Sequence, residues 1–307
     1  MSLAPAGLEV RVRPRSPLRL PGGSAPDGVL RVRQGVVSRL LHVEGRPVVV
    51  RGWLTRSGEV CLEAVAADVT EVTEVAADED VLIAAIERMR FALGIDEDMS
   101  EFFRRFKGDP LLGPVIRRRP WIRPRRRPFA WEALLGAICQ QLIEAGEALE
   151  IQRRITRRWG PTGPDWLRDV PSPATIAALA PAELVALGLA PKRALALIAV
   201  AREIVAGRID PADPATDQRL LATPEIGSWT QQMLALNGRG DPDSLPAGDL
   251  GYIKLVGRLA NLGRRATIAE VEEFFAPYEP YRGLAGTFAL VGLHGRIAQG
   301  PPLRLAA

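Results

Sequence analysis

The sequence predicts an α+β protein, with an N-terminal antiparallel β-sheet domain followed by a mostly α-helical, two-lobed body that holds a cleft between its lobes. Two changes of pattern carry this expectation. Up to about residue 75, runs such as LEVRV, VLRVR, LLHVEG and PVVVRGWL alternate or cluster β-branched residues between glycine-containing turns, which is how short strands joined by tight connections read. From about Asp78 the spacing becomes helical, first in DEDVLIAAIERMRFALG, where Val81, Ile83, Ala84, Ile86 and Met89 recur at short helical intervals. The expected division is residues 1–77 for the sheet and 78–307 for the helical region.

A chain of 307 residues can bury two or three cores without a covalent staple. Residues 171–207 are rich in Ala and Leu but are cut by Pro173, Pro181 and Pro191. Proline fits the first turn of a helix and not its middle, so these mark three successive helix starts in a compact bundle. The two cysteines, Cys61 and Cys139, lie in apolar runs and read as buried small hydrophobes. A four-cysteine iron–sulfur cluster is arithmetically excluded, and His42 and His294 are too few for a histidine zinc site. Metal-free chemistry is expected. Forty Lys and Arg stand against thirty-six Asp and Glu, but the bases are clustered and the acids dispersed, which points to a polyanionic partner. Prolines and arginines interrupt the N-terminus where a signal peptide needs an apolar core, so a cytoplasmic protein without membrane association is expected.

The most informative stretch is residues 220–259, LLATPEIGSWTQQMLALNGRGDPDSLPAGDLGYIKLVGRL. It reads as a short helix ending near Thr223, a tight Pro-Glu-Ile-Gly turn, and a new helix opening at Ser228 with Trp229 and Thr230. A hairpin followed at once by a helix start presents free backbone N–H groups to one point, which suits a DNA phosphate without reading sequence. A glycine- and proline-rich loop then leads to Asp249, just before another helical pattern.

This arrangement resembles the helix-hairpin-helix and Gly-Pro-rich-loop-Asp motif of DNA glycosylases. Residues 128–142, PFAWEALLGAICQQL, are similar to that family's helix with a terminal Gln-Gln, and residues 187–207 to the helix pair before the hairpin. The N-terminal sheet resembles the extra β domain of the AlkA-like 3-methyladenine DNA glycosylase II group. The resemblance implies double-stranded DNA carrying a damaged base as partner, a monomer, no organic cofactor, and room for a monovalent cation at the hairpin. It makes Asp249 the catalytic carboxylate; the plain alternative is that Asp249 only caps the following helix. Thr223, Glu225, Ile226, Gly227, Ser228 and Thr230 would meet DNA at the hairpin, Lys254 would contact a phosphate, and Gln141 and Leu142 would fill the hole left by a flipped base. Trp229, Tyr252 and Phe288 would line the base pocket, with helix packing the competing role for Trp229. Bifunctional relatives carry a Schiff-base lysine where this chain has Trp229, so hydrolysis without strand cleavage is implied. Two departures stand out: Glu225 replaces a glycine of the hairpin, and the C-terminal segment offers tyrosines and Phe288 where relatives place tryptophans.

A second feature is independent of the family. In IRRRPWIRPRRRPFAW, Arg117, Arg118, Arg119, Arg123, Arg125, Arg126 and Arg127 surround Trp121, and Pro120, Pro124 and Pro128 oppose a helix. Such a loop could track phosphates and wedge Trp121 into a groove; a solvated loop with Trp121 packed on the body is the alternative. Two rival functions remain: a non-catalytic DNA-binding module, and a glycosylase for oxidised, deaminated or mismatched bases.

Overall fold

The computed structural model describes residues 7–67, 79–141 and 143–297, with backbone alone at 293–297. Strands β1 (Gly7–Val12), β2 (Leu30–Arg33), β3 (Val36–Val43), β4 (Arg46–Leu54) and β5 (Val60–Ala66) form one antiparallel sheet in the order β1-β5-β4-β3-β2. Side chains alternate across a strand, so Val37, Leu41, Val48, Val50, Val60 and Leu62 share one face. Helix α1 (Glu79–Leu93) covers it with Val81, Leu82, Ala85, Ile86 and Met89. Ile83, expected on the buried stripe, is 40% exposed; the stripe that meets the sheet is offset and takes Leu82 and Ala85 instead. The expected division at residue 77 thus falls between β5 and a helix that shares the sheet's core. On the other face Leu40 and Val49 pack against Leu167 of the helical body.

That body has two cores. The first gathers α4 (Ala130–Gln140), α5 (Ala145–Trp159), α6 (Pro173–Ala177), α7 (Pro181–Val185), α8 (Pro191–Val205), α9 (Asp217–Leu221) and α10 (Ser228–Leu234). The prolines at 173, 181 and 191 each open a helix, as their fixed φ favours. Helix α4 is buried at every position from Ala130 to Cys139, which makes it the central rod rather than an amphipathic surface helix. The second core unites α2 (Ser100–Phe106) and α3 (Gly113–Arg118) with α11 (Leu250–Leu259), α12 (Ile268–Phe275) and α13 (Arg282–Ile297). Each lobe is therefore closed by its own apolar cluster, and the chain crosses between them along residues 119–129 and 235–249.

Both cysteines are buried thiols, and burial pushes Cys139 up to about 12. Among the described residues, no helix is long and apolar enough to cross a membrane.

Candidate active site and DNA-facing hairpin

Asp249 stands where the second lobe begins. The loop arrives through a Pro246 carbonyl that accepts from Asp249 N at 2.8 Å, and the side chain then caps α11, Oδ1 accepting from Gly251 N at 2.7 Å. The capping role is therefore real, but it occupies one oxygen only. Among the described residues, no group donates a hydrogen bond to Oδ2. The carboxylate is half-buried. A carboxylate held by its backbone turn, with one oxygen open, can face a developing cation without first reorganising.

Trp229 belongs to the other lobe and reaches this loop. A Cβ on Gly248, next to Asp249, would lie 3.8 Å from Trp229 Cβ and Cδ1 and 3.6 Å from Ile268 Cδ1. A Cβ on Gly251 would meet Leu290 at 3.2 Å and Asp249 Oδ1 at 2.9 Å. The half-buried Trp229 and the exposed Ile268 thus border Gly248, the half-buried Leu290 borders Gly251, and these glycines flanking Asp249 keep that approach open. Sequence reasoning missed Ile268 and Leu290, which sit on ordinary helices and carry no local signal. Ile268 is 51% exposed, a property that only the folded chain reveals.

Tyr252 and Phe288 require correction, because both are core side chains. Tyr252 packs against Phe275 at 5.9 Å between ring centroids, and Phe288 is fully buried against Phe102 at 5.1 Å. Burial pushes the Tyr252 phenol above its ordinary range; a hydrogen bond with Thr287 opposes this and the nearby Asp249 carboxylate adds to it. The aromatic residues of the C-terminal segment are consumed in packing.

The hairpin lies between α9 and α10. Ile226 N donates to Thr223 O at 3.1 Å to close the turn. Gly227 precedes α10 in extended conformation, no side chain caps the helix, and a Cβ there would meet nothing within 4 Å. Gly227 and Ser228 are exposed, so the first N–H groups of α10 face outward. Ile226 and Thr230 turn the other way: Ile226 is in the first lobe's core, and Thr230, 1% exposed, holds its hydroxyl 2.9 Å from Gln141 Nε2. Their side chains do not reach a DNA surface. Gln141 also donates to Glu225 O at 2.9 Å, so it braces the hairpin rather than standing free to fill a vacated base position; Leu142 lies outside the described residues. Asp217 on α9 ties the far end, accepting from Gln231 and Arg239 at 2.8 Å each. Burial alone would raise this carboxyl, but those hydrogen bonds outweigh it and hold it below its ordinary range.

Glu225 occupies the glycine position with φ of 68°, a left-handed conformation that favours glycine. Its carboxylate points to Lys192, at 3.5 Å, in the first turn of α8. Lys254 is exposed on α11.

The arginine segment divides. Arg117 and Arg118 complete α3, correcting the expectation of a wholly extended loop, and with Arg119 and Arg125 they are exposed. Arg123, Arg126 and Arg127 point inward, which removes them from the DNA-facing set. Arg123 Nε lies 3.0 Å from Glu97 Oε2, and Arg126 also pairs with Glu97. Arg127 Nη1 binds Asp27 at 2.6 Å and Glu132 at 3.0 Å, and Glu132 is paired in turn with Arg39 of β3. Buried ions persist only when paired, and these pairs form the seam between sheet and helices. Trp121 packs beneath the Arg19 guanidinium, 3.4 Å from its ring centroid, in place of the projecting wedge that the sequence allowed.

Known proteins resemble this arrangement. Over 207 residues, 64% of this chain and 67% of the relative, it is 25% identical to the DNA-3-methyladenine glycosylase of Bacillus subtilis. It is 28% identical over 230 residues to a probable bifunctional transcriptional activator/DNA repair enzyme AlkA of Mycobacterium tuberculosis, covering 72% of this chain but 45% of that protein. The fold matches a 3-methyladenine DNA-glycosylase from Archaeoglobus fulgidus with a TM-score of 0.74 at 19% identity, over 92% of this chain and 98% of that one. The family description HhH-GPD superfamily base excision DNA repair protein matches residues 135–280, a span that contains the hairpin, the loop and Asp249.

Proposed function

We propose that the protein is a monofunctional DNA glycosylase that hydrolyses the N-glycosidic bond of alkylated purines, of the 3-methyladenine and 7-methylguanine type, in duplex DNA. The carrying observation is Asp249, fixed by its cap to Gly251 N at 2.7 Å and preceded by Gly248, which Trp229 of the hairpin helix approaches from the other lobe. The name of the Bacillus relative supports the substrate class, and that of the Mycobacterium relative supports a role in DNA repair.

A base inside a duplex must be flipped out before its glycosidic bond can be reached. Phosphate binding at Gly227 and Ser228 would anchor the backbone beside the lesion, since outward N–H groups hold an anion in register whatever the sequence. As the bond stretches, positive charge develops on the sugar, and an ionised Asp249 stabilises it and orients or deprotonates the attacking water. An alkylated purine is already cationic and leaves as a neutral base, so no general acid is needed. Trp229 replaces the amine that a lyase would use. Lys254 is five positions beyond Asp249, about 140° around the helix, and so is turned away from the carboxylate.

A monovalent cation at the hairpin would draw on carbonyls such as those of Thr223 and Glu225, each already accepting one hydrogen bond. A carbonyl has a second lone pair, so these donors fit such an ion, which would supply positive charge toward a phosphate.

Release of 3-methyladenine, 7-methylguanine, hypoxanthine, uracil and 8-oxoguanine from duplex DNA tests the reading. Alkylpurine release is expected to fall about 10²–10³-fold in Asp249→Asn, with DNA affinity unchanged or slightly higher. The product strand should stay intact, and borohydride should trap no covalent complex. Full release by the variant would overturn the mechanism; efficient trapping would overturn the monofunctional assignment.

A further inference from the structure

The pair formed by Glu225 and Lys192 has no evident structural purpose. Lys192 is 80% exposed and Glu225 39% exposed, with 3.5 Å between Nζ and Oε1. Exposed pairs of this kind contribute little or nothing to stability. Local physics disfavours both partners. Lys192 lies in the first turn of a 15-residue helix whose first turn holds no acid, where the backbone dipole repels a cation. Glu225 holds a left-handed φ of 68°, a conformation that is strained for a residue with a side chain. It also places a carboxylate two residues before Gly227, where the proposed phosphate would sit. Rules broken at one spot without a stabilising return mark a functional site.

We propose that Lys192 is a phosphate-binding side chain of the hairpin, masked in the free protein by the Glu225 carboxylate, which a DNA phosphate displaces. The inference rests on the DNA-binding reading above. In the free chain the carboxylate occupies the cation. When the backbone of a duplex arrives at Gly227 and Ser228, a phosphate competes for the same ammonium, and the weak exposed pair yields. Lys192 then adds one phosphate contact to a hairpin that otherwise offers backbone N–H groups, and it offsets the repulsion that Glu225 would exert there.

The test is equilibrium binding of the full chain to undamaged duplex and to an abasic-analogue duplex over a range of salt, with thermal melts alongside. Neutralising one phosphate accounts for about 0.9 in the slope of log K against log salt. Lys192→Ala should flatten the slope by about that amount, Lys192→Arg should retain it, and neither should shift the melting temperature appreciably. Glu225→Gln should tighten binding at low salt by unmasking the lysine. Lys192→Ala should cost more affinity in the Glu225→Gln background, where the lysine is unmasked, than with Glu225 present. A wild-type slope in Lys192→Ala overturns the inference while leaving the DNA reading intact. A wild-type chain without salt-dependent duplex binding overturns both.

Discussion

The segment at residues 117–127 and the hairpin at residues 223–230 invert what their composition suggests. The first holds seven arginines and the second no cation at all. Yet three of those arginines are turned into the seam between sheet and helices, bound to Glu97, Asp27 and Glu132, while the hairpin presents an uncapped helix start and exposed Gly227 to solvent. Cationic density in a sequence measures two different things. Part of it meets external anions, and part neutralises buried carboxylates whose partners lie far away along the chain. Arg127 and Asp27 are 100 positions apart.

The sharpest way to separate these roles is to remove one arginine from each set. Arg127→Ala leaves Asp27 without this ion-pair partner and costs Glu132 one of its two, so unfolding free energy should drop by about 3–5 kcal/mol, read from a denaturant midpoint. The salt slope of DNA binding should not move, and a variant as stable as wild type would break the seam assignment. The exposed set should behave in the opposite sense. Replacing Arg117, Arg118 and Arg119 together by Ala should leave stability within about 0.5 kcal/mol per site and flatten the salt slope by roughly 2–3 units. An unchanged slope would mean that this face never meets the duplex. Trp121, packed under Arg19, should show no fluorescence quenching when an abasic-site duplex binds.

Asp217 sharpens the hairpin side of the comparison through pH. Hydrogen bonds from Arg239 and Gln231 hold its carboxyl below the ordinary range in the folded protein, against the opposing effect of burial. A depressed folded pKa contributes stability above the unfolded value, and that contribution is lost as pH falls through the folded one. Asp217→Asn should therefore lower stability by about 1–2 kcal/mol near neutrality. The gap between its melting curve and that of the wild type should begin to close as pH falls below about 4 and vanish only once pH passes below the depressed folded value. A gap that persists under acid would assign the loss to packing instead of charge.

Features encoded locally were legible in the sequence. Pro173, Pro181 and Pro191 open helices because a proline ring imposes its own φ, and the hairpin bounds near Thr223 and Ser228 follow from turn chemistry. Asp249 was legible as a carboxylate at a helix start, and the structure adds that its cap uses only Oδ1. Features decided by tertiary contact were not legible. Tyr252 and Phe288 have the residue types of a base pocket, but the second lobe needs their area for its core. Nothing in the spacing of Arg123 and Arg126 names Glu97 as their shared partner. Glu225 was visible as a missing glycine, whereas the direction of its carboxylate depends on α8 approaching the hairpin.

The smallest effect asks what Glu225 costs the fold. At φ of 68° glycine is free of the roughly 1–2 kcal/mol that a side chain incurs there. Glycine, however, makes the unfolded chain more flexible, which returns about 0.4–1 kcal/mol, and Glu225→Gly also removes an exposed pair worth about 0–1 kcal/mol. The net change should lie between a loss of about 1 kcal/mol and a gain of about 1.6 kcal/mol. Glu225→Gln is the necessary control, since it removes the charge and keeps the backbone penalty. Chemical denaturation of the two variants should therefore place Glu225→Gly above Glu225→Gln by about 0.5–1 kcal/mol, the difference isolating the backbone. If Gly is no more stable than Gln, the hairpin carries no strain at this residue, and Lys192 alone distinguishes this turn from one built on glycine.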